Sequence, residues 1–396
     1  MHISQLAKGI APSPTLAIDA KFKEMQASGI PVIGFGTGEP DFNTPENIIN
    51  AAVTAMNVGA TKYTPASGTV ALKTAVCEKL KRDNNIDYSP AQIVVSNGAK
   101  HSLTNIFMAI CDPGDEVIVP APYWVSYPEM VKLAGGKTVL LPTTEADGFK
   151  FKPSELENYI TPKTRAIILN SPSNPTGMLY NRAELEEIAK IAVKHGIYVI
   201  SDEVYEKLVY EGEHISIASL GDEIRELTIL VNGASKTYAM TGWRIGYTAS
   251  NKALAAAMGN LQSHATSNPN SIAQAASVEA FAGDQSIIGT MMTEYRKRRD
   301  YMVEKINSIP GVSCIQPNGA FYVMMNVTEL LGKTLYGKVI NTAEELCEDI
   351  LEKALVALVS SEGFGIDGYA RLSYATSMEN IIAGLDRIEK YVKGEC

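Results

Sequence analysis

The sequence is poor in the residues that staple or metallate small folds. Its 396 residues include five cysteines and five histidines. Cys77, Cys111, Cys314, Cys347 and Cys396 form no CxxC pair and no even framework, which excludes a disulfide scaffold and a zinc ribbon. His2, His101, His195, His214 and His264 show no HExxH or paired spacing, so no metal site is expected. Cations are in the minority: 35 Lys and Arg against 44 Asp and Glu leave a net charge of −9. Such a balance argues against a nucleic-acid or anionic-membrane partner, which needs a basic face, although a few local cations can still hold a small anion. No run approaches ~18 uninterrupted apolar residues. The opening MHISQLAKGIAPSP has no apolar signal core, so neither a membrane span nor an export signal is expected, and the expected location is the cytoplasm. There is no internal repeat and no low-complexity tract. GFGTG at 34–38 falls short of GxGxxG, and GxxxxGK[ST] is missing, so NAD or ATP binding fits poorly.

What is present is an ordinary globular composition, 45% apolar and 20% charged. A chain of this length suggests two or three domains at ~150 residues each. From residue 45 onward helical segments (46–57, 69–83, 99–111, 123–134, 182–194, 252–263, 271–282) alternate with short apolar runs. Those runs, at 92–96, 116–119, 138–141, 166–170, 198–201, 228–232 and 246–249, read as buried strands. The expectation is an α/β fold: a large domain over 46–284 with a mostly parallel seven-stranded sheet covered on both faces. After 284 the pattern changes to a long charged helix (285–308), strand-like 320–327 and 369–375, and helices at 342–354 and 378–393. Residues 285–396, joined by 1–45, are expected to form a smaller α+β domain.

Ligands of open α/β sheets sit beyond the carboxyl ends of the strands, so the residues after each run carry the functional question. SNGAKHSL (96–103) puts Gly98, Ala99 and Lys100 at a strand-to-helix turn suited to phosphate, although an ordinary turn reads the same way. Lys100 opposes the helix dipole, a conflict that an anion would resolve. Trp124 begins the next helical segment over the cleft, where its indole could stack on a flat cofactor, whereas Trp243 reads as core. Asn174 sits in a stiff loop before Pro175, and could be a plain turn amide. Asp202 and Tyr205 follow a strand; a helix cap is the bland alternative for the acid. Lys236 lies among Ala234, Ser235 and Thr237 just past another strand, with Arg244 eight positions later. A phosphate cup, a stacking Trp, an Asn, an Asp, a Tyr, a Lys and an Arg together are the set that pyridoxal phosphate chemistry needs.

The motifs GEPDF (38–42), PYWVSYPEM (122–130), NSPSNPTG (170–177), SDEVYE (201–206), SKTYAMTGWRIGY (235–247), GAFYV (319–323) and RLSYAT (371–376) come in the order and spacing of a known family. Over essentially its whole length the chain resembles class I aminotransferases of pyridoxal-phosphate fold type I, nearest the bacterial aspartate aminotransferase subgroup. The resemblance implies that Lys236 holds the cofactor and shuttles the proton, with Asp202 at the ring nitrogen. It implies Tyr205 and Asn174 at the ring's phenolic oxygen, and Gly98, Ala99, Lys100, Ser235 and Arg244 around the phosphate. Tyr63, in KYTPASG, would reach the site of a neighbouring subunit in a homodimer. Arg371, with the Gly38 backbone nearby, would clamp the substrate α-carboxylate. Lys100, Ser13 and Thr15 would meet a distal carboxylate, with Trp124 and Asn174 also against substrate. The chain departs from the family at Gly233, where a serine is usual, and at Ser360–Ser361, where Pro-Gly is common beside the substrate. The implied reaction passes an amino group between an amino acid and a 2-oxo acid, most simply aspartate and 2-oxoglutarate. An aromatic, prephenate or broad-specificity aminotransferase, a β-lyase, and a non-enzymatic pyridoxal-phosphate sensor are the rival readings.

Overall fold

The computed structural model describes residues 2–396. All seven expected strands form one sheet: β1 (Ile93–Asn97), β2 (Glu116–Ala121), β3 (Lys137–Pro142), β4 (Thr164–Asn170), β5 (Tyr198–Asp202), β6 (Thr228–Gly233) and β7 (Ile245–Ala249). Their order is β1-β7-β6-β5-β4-β2-β3, and β7 alone runs against its neighbours. Alternate residues of the inner strands feed opposite cores, and both their faces are covered, which is why those runs are apolar throughout rather than alternating; the edge strand β3 buries one face only, through Val139 and Leu141. Val117, Val119, Ile168 and Ile200 pack with Leu103, Phe107 and Met258 on one side. Ile118, Ile167, Leu169 and Val199 pack with Leu185, Ile188 and Ala192 on the other.

The reversed strand β7 passes directly beneath a helix start. A Cβ on Gly246 would lie 2.2 Å from the Ala99 amide nitrogen, so only glycine lets the helix Ala99–Ile110 start directly against the sheet. Its partner in register, Gly233, is equally constrained, because a Cβ there would meet the Ile245 carbonyl oxygen at 2.7 Å. The missing serine at 233 is therefore a packing requirement of this chain.

A second, three-stranded antiparallel sheet contains β8 (Tyr322–Asn326), β9 (Val359–Ser360) and β10 (Tyr369–Ser373), with β10 central. Its core gathers Phe35, Phe321, Leu346, Ile350, Leu372 and Ile388. Ile33–Gly34 pairs in parallel with Val356–Ala357, which ties the N-terminal stretch to these later elements. The charged run EYRKRRD is only half solvated. Arg298 pairs with Asp41, and Arg299 is buried against Glu211, Asp300 and the Pro317 carbonyl. No helix among the described residues is long and apolar enough to cross a membrane.

Two expectations need correction. The helix placed at 123–134 starts at Ser126, so Trp124 lies in the loop before it and not at a helix start. An unforeseen helix, Pro14–Ala27, follows a short one at Gln5–Gly9. Ile18, Phe22 and Met25, at i, i+4, i+7, pack inward against Val32, Leu351 and Ala357, but the exposed Leu16 and the alanines at 17, 20 and 27 blur that stripe in the sequence.

Candidate active site

The carboxyl ends of β4, β5 and β6, the start of helix Ala99–Ile110 and the N-terminal helix enclose a cavity of about 450 Å³. One rim is the helix end. Gly98 has φ +84°, and a Cβ there would sit 2.4 Å from Arg244 Nη2. Ala99 and Lys100 are the first two residues of the helix, so their amides have no intrahelical acceptor and point out of its end. Ser235 and Arg244 stand opposite. Arg244 is fixed by Nη1 donating to the Thr241 carbonyl at 2.9 Å, and it pairs with no carboxylate among the described residues.

Asp202 closes strand β5, fully buried. A turn follows it rather than a helix, so the capping alternative falls away. Tyr127 donates to its Oδ2 at 2.7 Å and the Val204 amide reaches Oδ1 at 3.4 Å. Burial pushes its carboxyl up to about 6 against those two donors. Asn170 bonds the Asp202 carbonyl at 3.0 Å and accepts the Asn174 amide at 2.7 Å, holding the 171–174 loop to the strand end. Neither Tyr127 nor Asn170 stands out in the sequence. Tyr127 lies three residues past Trp124 in PYWVSYPEM, and its ring packs edge-on to the indole at 5.4 Å.

Lys236 enters from the turn after β6. Its Nζ donates to the Gly38 carbonyl and lies 5.9 Å from the Tyr205 ring centre. Burial lowers its ammonium to about 8; Glu39 resists this, while Arg371 and Arg244 reinforce it. A lysine so placed has a usable free amine near neutral pH. Tyr205 is buried and its hydroxyl meets that of Tyr322 at 2.9 Å.

Arg371 is 2% exposed, yet no carboxylate pairs with it among the described residues. Its Nη1 donates to Asn174 Oδ1 at 3.0 Å and Nη2 to the Gly36 carbonyl at 2.8 Å, while Nε is buried without a partner. The guanidinium lies over the rings of Tyr322 at 4.5 Å and Phe364 at 5.0 Å. The glycine carbonyl on Arg371 is thus that of Gly36; Gly38 holds Lys236 instead. Tyr322, which the sequence marks only as part of GAFYV, links Arg371 to Tyr205.

Lys100 also lines the cavity, with Nζ 4.9 Å over the Trp124 ring. That face supplies part of the compensation that the helix dipole denies it. Ser13 and Thr15 line the same cavity, their hydroxyls 2.9 Å apart. Outside the cavity stand Tyr63, which the resemblance assigns to a neighbouring subunit's site, and Ser360 and Ser361, which it places beside the substrate. Tyr63 is 93% exposed and outside this chain's own cavity. Ser360 and Ser361 are buried away from it, where Ser361 bonds the Tyr369 backbone at 3.0 Å.

Three buried or half-buried charges, Asp202, Lys236 and Arg371, therefore share one cavity without forming an ion pair. Leaving a charge desolvated and unpaired is costly, so such a set is complete only with an occupant that brings charge. Pyridoxal phosphate fits it: a phosphate for the helix end and Arg244, a basic ring nitrogen for Asp202, and an aldehyde for the amine of Lys236.

Comparison with known proteins agrees. The model of the family "Aminotransferase class I and II" matches residues 30–388. An aspartate aminotransferase of Bacillus sp. strain YM-2 is 49% identical over 392 residues, 99% of either chain. An aspartate/prephenate aminotransferase of Nitrosomonas europaea is 44% identical, covering 98% of this chain and 99% of its own. The crystal structure of the Rhizobium meliloti aspartate aminotransferase superposes with a TM-score of 0.96 at 42% identity, over 99% of both chains.

Proposed function

The chain belongs to the class I and II aminotransferases, whose cofactor is pyridoxal phosphate, and from that premise we propose that it transfers the amino group of aspartate to 2-oxoglutarate. When bound, the cofactor supplies an aldehyde that takes up the amino group and a ring that receives the electrons of the broken Cα–H bond. In this reading the amides of Ala99 and Lys100, Ser235 and Arg244 hold the phosphate. Asp202, steadied by Tyr127, keeps a proton on the ring nitrogen. Tyr205 and Asn174 serve as hydrogen-bond partners of the phenolic oxygen, and Trp124 covers the ring. Lys236 Nζ would take the proton from the substrate Cα and deliver it to the carbon that entered as the cofactor's aldehyde, and would carry a proton the opposite way when the 2-oxo acid acceptor is bound. Arg371 binds the α-carboxylate through its fork, with Asn174 and Gly36 fixing the orientation.

The observation that carries this reading is the buried Arg371 without a carboxylate, in the same cavity as Lys236 and Asp202. Lys100 favours a dicarboxylic substrate. It is a cation over the cavity, with Ser13 and Thr15 as further donors, and the phosphate already has other ligands. The Nitrosomonas relative keeps prephenate open as a second acceptor.

A homodimer is part of the proposal. Ile49, Val53 and Met56 repeat at helical spacing on an exposed face, and Tyr63, a few residues further on, is exposed as well. An apolar face of this kind suits a second copy of the chain, and Tyr63 would then complete the partner's site. The test of function is a panel of amino donors, each mixed in a single turnover with cofactor-loaded protein. Aspartate and glutamate should discharge the visible cofactor band fastest; release of pyruvate and ammonia would instead indicate a lyase.

A further inference from the structure

Strands β5 and β6 part just where the chemistry begins. Their ladder ends with Asp202 opposite Val231 and the Glu203 amide on the Val231 carbonyl at 2.9 Å. Beyond that point β5 runs into the turn that carries Tyr205, and β6 runs through Asn232 and Gly233 to the turn that carries Lys236. One direct hydrogen bond among the described residues spans these diverging segments: Asn232 Nδ2 donates to Glu206 Oε1 at 2.8 Å. Asn232 Oδ1 in turn accepts the Gly233 amide at 2.7 Å, so the side chain bridges the residue after Tyr205 to the backbone leading to Lys236.

The strut is itself braced. Lys79 bonds Glu206 Oε1 from the helix Val70–Asn84, and Asn84 donates to Oε2 at 2.9 Å. Glu206, Lys79 and Asn232 are all buried. Burial alone would raise the Glu206 carboxyl, but Lys79 and then His214 bring it down to about 2, so the brace stays ionised at any working pH. None of these groups lines the cavity.

We propose that Glu206 and Asn232 are positioning residues, which together fix Tyr205 relative to Lys236. The inference rests on the proposed function, in which both Tyr205 and Lys236 meet the cofactor. The physical ground is that a catalytic amine and a hydroxyl on two separate turns keep their spacing only if something rigid connects the turns. Misplacement by about 1 Å can cost on the order of a hundredfold in rate.

The test is an exchange of donor and acceptor. Asn232→Asp removes the amide donor and sets two carboxylates against each other. It should lower kcat about ten- to a hundredfold with the KM for aspartate changed less than about threefold. It should also move the pH midpoint of the cofactor's visible absorbance, measured without substrate. Adding Glu206→Gln lets the new glutamine amide donate to the new aspartate, whose second oxygen still accepts from Gly233; Lys79, which shared the lost oxygen, keeps Asp83 at 3.7 Å and gains the new aspartate as its carboxylates. The double variant should recover kcat to within about threefold and return the midpoint. Should Asn232→Asp not fold, Asn232→Ser removes the strut without a charge and should show the same loss of kcat. Wild-type kcat and midpoint in a folded single variant would overturn the proposal. So would a double variant with wild-type melting temperature and cofactor content that stays slow. A wild-type protein lacking a cofactor band at Lys236 would instead overturn the functional reading itself, so the two failures are distinguishable.

Discussion

Replacing Arg371 with Met separates binding from stability. The guanidinium has two neutral acceptors, Asn174 Oδ1 at 3.0 Å and the Gly36 carbonyl at 2.8 Å, and lies against two aromatic rings. No carboxylate among the described residues neutralises it. A substrate carboxylate would, and removing one member of a buried, hydrogen-bonded charge pair costs about 2–5 kcal/mol. At about 1.36 kcal/mol per decade this is roughly thirtyfold to a few thousandfold in kcat/KM for aspartate. Stability should respond differently. Arg371→Met removes a desolvated charge, a gain, and strands two acceptors at about 1–3 kcal/mol each, a loss. The opposing effects should hold the melting temperature within a few degrees, at about 2–4 °C per kcal/mol for a mid-sized domain. Steady-state kinetics with aspartate and 2-oxoglutarate, beside thermal unfolding of the cofactor-loaded protein, measure both. A kcat/KM within about tenfold of wild type would refute the carboxylate role. A melting temperature that collapses along with activity would mark Arg371 as a structural pillar.

Lys100→Ser should penalise aspartate and glutamate by one to two decades in kcat/KM, the worth of a charge-assisted hydrogen bond of about 1.5–3 kcal/mol, and leave alanine nearly unchanged; equal losses on all donors would assign Lys100 to the phosphate. Asp202→Ala should bind cofactor yet lose far more than tenfold in kcat, about 1.4 kcal/mol of barrier; a smaller loss would remove it from the ring nitrogen. Because the Lys236 ammonium is held down to about 8 rather than its ordinary 10.5, its amine is protonated below that pH and free above it. Cofactor uptake by the cofactor-free protein should therefore accelerate as pH rises through about 8, and a midpoint near 10 would show that burial does not perturb the lysine. In mixed dimers of Tyr63→Phe with Lys236→Ala, one site is intact and the other carries both lesions, so about half the wild-type activity should return; verified dimers without recovery would refute a shared site.

The large sheet is legible in the sequence because its inner strands are buried on both faces, which leaves continuous apolar runs between amphipathic helices. The site residues that stand at strand ends, Asp202, Lys236 and Asn174, are legible for the same reason: position in the sheet dictates where they gather. Helix Pro14–Ala27 is not, because its short stripe of Ile18, Phe22 and Met25 packs onto a small apolar patch and is blurred by the exposed Leu16 and alanines around it. Tyr127, Asn170 and Tyr322 are hidden since each acts by holding another residue, and a hydrogen bond between distant segments leaves no local pattern. Glu206 and Asn232 are hidden likewise: in sequence one is an acid in a turn and the other an amide ending a strand. Gly233 reads in sequence as a lost phosphate donor, and only its crowding against Ile245 supplies the packing reason.

The most direct test of the central claim is where the cofactor attaches. Borohydride reduction of the cofactor-loaded protein fixes the cofactor to whichever amine holds it, and peptide mapping then identifies that residue. The label should fall on Lys236, in the peptide containing SKTYAMTGWR, and vanish in Lys236→Ala while cofactor still binds without a covalent link. A label on Lys100 or any other lysine, or one that persists in Lys236→Ala, would contradict it.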